Sequence, residues 1–437
     1  MNKLANRMVL YRTLCFLLAF IIITACSIPS TENSIELTAE NSDSISPLVD
    51  SSTGLTSSDD APKNGPEFKI IPDSELVFSP STVDFDLYHF VRSTQGYISQ
   101  YQEEVQGELL NGADICNRIA REYSINPRLL LSLLEYLSHW VTLSNPGDNL
   151  LYPLGFREVD HSGLYRQLSW AANTLNRGYY TFRVNGLHQL SLPDGQSVNL
   201  SLTLNAGSAA IQYFFAQIMT YPDWELAVSP LGLYAVFTRL FGDPLAMSID
   251  PLVPPGTQQP DLTLPFRPGD VWNFSAGPHS AWGDGAAWAA LDFIPPGGQY
   301  GCSQSKAWAV AAADGLVVRS TNGMVMLDLD QDGYEQTGWN LLYLHIATQE
   351  RIPFGSMVRA GDHIGHPSCE GGPSSGTHLH IARRYNGEWI PADQDLPFNL
   401  DGWISQGYGK EYDGRLIRNG VVVEAYGYIT EESEIAR

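Results

Sequence analysis

Thr377-His378-Leu379-His380-Ile381 alternates polar and apolar residues and carries β-branched side chains, the pattern of a half-buried β-strand. Residues two apart on a strand share a face, so His378 and His380 project two imidazoles into one space. Neutral imidazole is the commonest nitrogen ligand of zinc and a proton carrier near neutral pH. Such a strand supplies one metal ligand and one acid/base, or it is an exposed edge with an ordinary histidine pair. Matching partners elsewhere in the chain favour the first reading.

Those partners lie upstream. Gly277-Pro278-His279 follows a Trp/Phe-rich, strand-like segment, and Ala290-Leu291-Asp292-Phe293 follows a stretch of Gly, Ala and Trp. Leu342-Tyr343-Leu344-His345-Ile346 is another alternating strand. A catalytic zinc takes three protein ligands and keeps one position open for water. His279, Asp292 and His380 would fill the three, leaving His345 and His378 close by to orient the water, take its proton and stabilise an oxyanion.

Taken in order, these pieces resemble the lysostaphin/LytM-type zinc metalloendopeptidases, which cleave peptides of bacterial peptidoglycan. The resemblance covers about Leu264 to Asp393. It includes Trp308-Ala309-Val310-Ala311-Ala312-Ala313-Asp314-Gly315, Val358-Arg359-Ala360-Gly361-Asp362-His363-Ile364-Gly365 and Ser375-Gly376-Thr377-His378-Leu379-His380. It implies that His279, Asp292 and His380 bind one zinc ion, that His345 and His378 serve catalysis, and that the fold is a compact, mainly antiparallel β-sheet. One departure stands out. The family's first His and its Asp usually sit about four residues apart, whereas His279 and Asp292 are separated by an insertion rich in Gly, Ala and Trp. Asp284 is therefore a rival ligand, although Gly283-Asp284-Gly285 reads as a turn. Trp282 and Trp288 in the insertion suit a cleft wall or core packing.

Other candidates receive plainer readings. His363 and His366 read as structural or exposed, as do His89, His139, His161 and His188. Asp328-Leu329-Asp330-Gln331-Asp332-Gly333 opens like a calcium loop, but its twelfth position is Trp339 where a bidentate Glu is needed, so a hairpin turn is expected. Arg383 and Arg384 are expected to be solvated surface charges.

The N-terminus indicates an address. Lys3, Arg7 and Arg12 precede an apolar run, Leu14 to Ile23, that is too short for a spanning helix of about 20 residues. Ile23-Thr24-Ala25-Cys26 resembles the lipobox of bacterial lipoproteins. That implies a signal peptide over 1–25, lipid on Cys26 and anchorage at a membrane facing the cell wall; a plain secretory signal is the alternative. Ser27 to about Pro66 is polar and Ser/Thr-rich, so 26–66 reads as a disordered tether. The formal net charge is −23, and 1–25 contains only basic charges, so a mature chain is more acidic still. With no basic tract, nucleic acid is not expected as a partner.

Residues 67–250 read as a mainly α domain. Gly112 to Trp140 has helical spacing broken at Asn126-Pro127, and further helices are expected over Leu164–Leu175 and Ala209–Met219. Tyr123 to Leu134 and Leu204-Asn205-Ala206-Gly207 resemble a lysozyme-like transglycosylase domain. That family needs a Glu immediately before a Ser; here Leu137 precedes Ser138, and Glu135 lies on another helix face. A degenerate module is expected, binding glycan or only supporting the peptidase. Trp140, Trp170, Tyr179 and Tyr180 fit core more readily than glycan stacking. A Pro-rich linker is expected over 251–263, and the peptidase domain with a C-terminal extension over 264–437. Asn419-Gly420 there reads as a hairpin turn. Among the cysteines, a Cys302–Cys369 bridge is expected between two loops, with Cys116 buried and free.

The whole is a multidomain chain, mainly α then mainly antiparallel β, expected to hydrolyse peptide bonds of peptidoglycan with zinc. The alternative is a non-hydrolytic wall-binding scaffold that activates another hydrolase.

Overall fold

The computed structural model describes residues 66–147, 150–297 and 301–437. The expected signal peptide, Cys26 and the expected tether up to residue 65 lie outside the described residues. The first half is helical and the second is a mainly antiparallel β structure.

The principal helices are α1 (Leu87–Thr94), α2 (Gly112–Tyr123), α3 (Pro127–Ser138), α4 (Leu164–Arg183), α5 (Ala206–Ala216) and α6 (Leu233–Phe241). Capping explains the break between α2 and α3. Asn111 and Asp114 form a capping box at the start of α2, and Ser124 leaves it in the left-handed conformation. The Asn126 side chain then accepts from the Arg128 N–H, with Pro127 in the first turn of α3. α4 runs eight residues beyond the expected Leu175. Its apolar period continues through Tyr179, and Gly178 lets α5 approach so closely that a Cβ there would lie 2.9 Å from Ala210 Cα. Trp140 and Tyr179 are fully buried and Tyr180 nearly so, while Trp170 stacks on Phe156. Glu135 is buried too. It accepts from the Thr142 N–H and hydroxyl and pairs with Arg239, a structural tie.

The strands of the two larger sheets are β1 (Val271–His279), β2 (Ala290–Ile294), β3 (Gly315–Thr321), β4 (Met324–Asp328), β5 (Trp339–Leu344), β6 (Met357–Val358), β7 (Leu379–Tyr385), β8 (Glu388–Trp389), β9 (Asn399–Leu400), β10 (Trp403–Gly407), β11 (Gly414–Arg418), β12 (Val421–Glu424) and β13 (Glu434–Ala436). The main sheet has the order β6-β3-β4-β5-β7-β2-β1-β13, with β8 on β7, and every pairing is antiparallel. The expected Asn419-Gly420 hairpin joins β11 and β12 in a separate four-stranded sheet, β9-β10-β11-β12.

Alternation along the strands gives the main sheet two buried faces. Val325, Leu327, Leu341, Tyr343, Leu291, Phe293, Leu379 and Ile381 point into the β core, with Leu264, Phe266 and Phe398. Met324, Met326, Leu342, Leu344, Ala290 and Ala382 point the other way and join the core of the helices. The helical region therefore packs on the sheet face that also carries Asp292 and His380.

Polar ties reinforce this packing. Glu335, in the β4–β5 loop, is buried among three guanidiniums: Arg121 of α2, Arg319 of β3 and Arg384 of β7. The β7–β8 turn plugs into the helices: the Ser124 hydroxyl donates to the Gly387 carbonyl, and the Trp389 N–H donates to the Tyr180 hydroxyl at 3.0 Å. Gly387 sits at φ +81°, and a Cβ there would lie 2.1 Å from the Phe78 carbonyl oxygen. The Pro-rich stretch after Asp250 contains no helix or strand up to β1 apart from an isolated bridge at Phe266. It is tied down nonetheless, with Leu252 and Leu262 buried and the Asn386 side chain donating to the Leu252 carbonyl at 2.9 Å.

Arg383 and Arg384 correct the expectation of solvated charge, since both are fully buried. They lie inside β7, a central strand, so either face takes them into protein. Arg383 packs over Phe398 and Trp339, and burial pushes its guanidinium down to about 9.

Candidate metal centre

β1 delivers His279 at its end, where Gly277 is pressed so closely against the β10–β11 turn that a Cβ would lie 2.7 Å from Asp413. Asp292 of β2 and His380 of β7 are direct cross-strand partners. Their three ligand atoms form a nearly equilateral triangle. His279 Nε2 is 3.0 Å from His380 Nδ1, and Asp292 Oδ1 is 3.2 Å from each. All three residues are buried.

Hydrogen bonds outside the triangle fix what faces inward. His279 Nδ1–H donates to the Gly277 carbonyl at 2.8 Å, and His380 Nε2–H donates to the Ala281 carbonyl at 3.2 Å. Both inward nitrogens thus present lone pairs. Asp292 Oδ1 is buried and receives no hydrogen from the protein. Burial would raise the Asp292 carboxyl, but His279 and His378 hold it well below the usual range. Two lone pairs and a carboxylate oxygen about 3 Å apart, away from water, repel one another unless a cation lies among them. The edge of a tetrahedron with metal–ligand bonds of about 2.0–2.1 Å is about 3.3 Å, so the residues fit a tetrahedral metal ion with one side open.

His345 and His378 sit beside this triangle, with ring centroids 4.4 Å apart. His345 Nδ1–H donates to the Glu370 carbonyl at 2.9 Å, and His378 Nδ1–H to the Gly376 carbonyl at 2.8 Å. The Nε2 of His378 is 3.4 Å from the outer oxygen of Asp292. Burial, and then the neighbouring imidazoles of His378 and His380, push His345 down to about 3. All five histidine and aspartate positions expected from the sequence therefore meet in one place.

The centre opens into a groove of about 2170 Å³. One wall comes from the helical region, through Arg118, Glu122, Tyr123, Tyr165 and Asn173, and the other from the β-domain loops. The sequence reading missed Tyr412, whose ring stacks on His279 at 4.8 Å and 23°. It lies in the C-terminal extension, where no motif pointed to it. A signal for the carbonyl partners was present: Gly277-Pro278-His279 and Gly376-Thr377-His378 repeat a Gly two residues before a His, and each Gly supplies the acceptor.

The rival Asp284 is not in the triangle. It faces α4, paired with Arg177 at 2.8 Å. His363 and His366 flank Trp308 and lie apart from the centre, with His366 bonded to the Ala307 carbonyl and to Glu350. The Asp328 run closes the β4–β5 hairpin. Its carboxylate accepts backbone N–H groups of Asp330, Gln331 and Gly333, and the side chains of Asp328, Asp330 and Asp332 cluster. Cys302 and Cys369 form a disulfide, while Cys116 is free and buried. No helix among the described residues is long and apolar enough to cross a membrane.

Comparison with known proteins supplies context. Residues 69–254 match the family described as LasA, N-terminal domain. Protease LasA of Pseudomonas aeruginosa is 30% identical over 290 residues, covering 61% of this chain and 65% of its own length. The β-lytic metalloendopeptidase of Achromobacter lyticus is 28% identical over 185 residues, covering 38% of this chain and 45% of its own. The chain thus spans less than two-thirds of these relatives' lengths. Among solved structures, the deep-sea M23 metalloprotease pseudoalterin gives a TM-score of 0.33 at 24% identity, covering 41% of this chain and 99% of that one. Over part of its length the chain is accordingly similar to protease LasA and to β-lytic metalloendopeptidase.

Proposed function

We propose that this protein is a zinc-dependent endopeptidase that hydrolyses peptide bonds of bacterial peptidoglycan. The observation that carries the reading is the inward-facing triangle of His279 Nε2, Asp292 Oδ1 and His380 Nδ1 with two further histidines at its open side. A zinc ion held by these three residues supplies a Lewis acid and a water of lowered pKa. His345, with its Nδ1 tied to the Glu370 carbonyl, presents its Nε2 as a proton acceptor. His378 lies beside His345, with its Nε2 3.4 Å from the outer oxygen of Asp292, a position from which it can pass a proton to a leaving amine. The groove beside them, walled by the helical region and the β-domain loops, is the place for an extended peptide.

This reading includes the envelope address. The helical region and the peptidase domain form the working part of a lipoprotein anchored through Cys26, with residues 26–66 as its tether and the 251–263 stretch as connector. A Cys26→Ser variant is expected in the soluble fraction; full retention in membranes would exclude the anchor.

The central test measures bound zinc and cleavage of purified peptidoglycan by the full chain, wild type beside His378→Ala. Zinc in both, with new amino and carboxyl termini released only by wild type, is expected. Zinc in both without cleavage of several wall types by wild type would establish the wall-binding scaffold instead.

A further inference from the structure

The insertion between β1 and β2, residues 280–289, does not stand free. Its Ala281, Ala286, Ala287 and Ala289 are buried in the core of the helical region. Its turn is gripped by α4. Asn173 Oδ1 accepts from the N–H of Asp284 at 3.1 Å and of Gly285 at 2.9 Å, and Asn173 Nδ2 donates to the Asp284 carboxylate. Three of the four bonding capacities of this amide are thereby used on one turn. The fit leaves no slack, because a Cβ at Gly285 would lie 2.1 Å from the Asn173 carbonyl oxygen.

The other end of the insertion reaches the metal centre. The Ala281 carbonyl accepts the Nε2–H of His380 at 3.2 Å. The Ala281 N–H donates to the Ala287 carbonyl at 3.0 Å, closing the segment on itself. A continuous set of contacts thus runs from α4 through Asn173 and the insertion to a ligand imidazole. A segment this rich in Gly and Ala has few side chains with which to hold its own shape.

We propose that Asn173 is a positioning residue of the metal centre. By clamping the insertion it fixes the Ala281 carbonyl, which in turn holds His380 with Nδ1 facing inward. The helical region is then a working part of the peptidase centre, acting from outside the ligand set. This proposal rests on the reading of His279, Asp292 and His380 as zinc ligands. The groups that accept a ligand histidine's remote N–H set its tautomer and orientation, and their loss typically weakens metal binding about 10–100-fold.

The test uses the full chain. Zinc affinity is measured by chelator competition, and the visible absorption of the cobalt-substituted protein reports ligand geometry. The variants are Asn173→Ala, Gly285→Ala, and Asn173→Asp combined with Asp284→Asn, which exchanges the donor and acceptor across the same contact. Asn173→Ala is expected to bind zinc about 10-fold more weakly and to alter the cobalt spectrum. Gly285→Ala, which pushes the turn off α4, is expected to do the same. The exchanged pair is expected to recover most of the affinity, which a general loss of stability would not allow. A folded Asn173→Ala protein with wild-type zinc affinity and cobalt spectrum would overturn the proposal. If Asn173→Ala fails to fold, a wild-type result for Gly285→Ala overturns it equally. Zinc binding that survives His380→Ala in the otherwise native chain would instead overturn the ligand assignment.

Discussion

Each of the four imidazoles around the candidate centre gives one ring nitrogen to a backbone carbonyl, at Gly277, Ala281, Glu370 and Gly376. Backbone acceptors cannot rotate away, so each ring is fixed in tautomer and direction more firmly than by a flexible side chain. Asp292 is the one anionic member, and its inner oxygen has no other donor. Asp292→Ala is therefore expected to weaken zinc binding by more than ~100-fold, beyond the cost of losing an outer hydrogen-bond partner. His378→Ala should leave zinc affinity within about 10-fold of wild type while abolishing cleavage. Chelator competition separates the two, and equal affinities for both variants would refute the division between ligand and proton carrier. Asp284 shows how a residue's chemistry can mislead. It is closer in sequence to His279, yet its neighbours Gly283 and Gly285 lay it against Asn173 and Arg177.

Strands and loops carry the site in different ways. β2 and β7 bring Asp292 and His380 together by register alone, because cross-strand partners share a face. His345 and His378 depend instead on the segment around 370–376, which supplies the Glu370 and Gly376 carbonyls. The Cys302–Cys369 disulfide, with Cα atoms 5.5 Å apart, anchors that segment. It closes a span of 67 residues, so replacing both cysteines by Ser should cost ~4 kcal/mol by the loop-entropy estimate. Denaturant titration measures that loss. Turnover should fall further than zinc affinity, since the ligands come from strands and not from this loop.

Across the whole molecule, the helical region and the sheet meet on a shared apolar face with Glu335 at its polar point. Burial alone would raise this carboxyl, but Arg319, Arg121 and Arg384 hold it at about 2, against an ordinary value of 4.5. A lowered acid contributes stability that is present above its unfolded pKa and lost as pH falls through its folded value. This contribution should therefore fade between about pH 4.5 and pH 2. Glu335→Gln is expected to destabilise the protein by ~3–5 kcal/mol at neutral pH, because it leaves the buried guanidiniums of Arg319 and Arg384, and the partly exposed one of Arg121, without their anion. It should also flatten the acid limb of the stability profile. Denaturant midpoints across that pH range test both, and an unchanged acid limb would show that Glu335 is not the titrating group.

That five particular side chains would gather in one place was legible in the chain itself. Period-two alternation placed His378 and His380, and the order of the surrounding pieces brought in His279, Asp292 and His345, because strand chemistry and turn residues are local properties. The α2–α3 break was legible for the same reason, from Asn126-Pro127. What local pattern could not contain was the direction in which each strand's second face would be covered. Arg383 and Arg384 looked like surface charge because their strand's central place in the sheet is not written near them. Tyr412, Asn173 and the Glu335 cluster carried no motif, since His279, Asp284 and Arg121, with which they meet, lie more than a hundred residues away in the chain. Only the packing of helices onto the face of the sheet that carries Asp292 and His380 decided that these residues would meet, because burial of both faces of one sheet is a property of the assembled molecule.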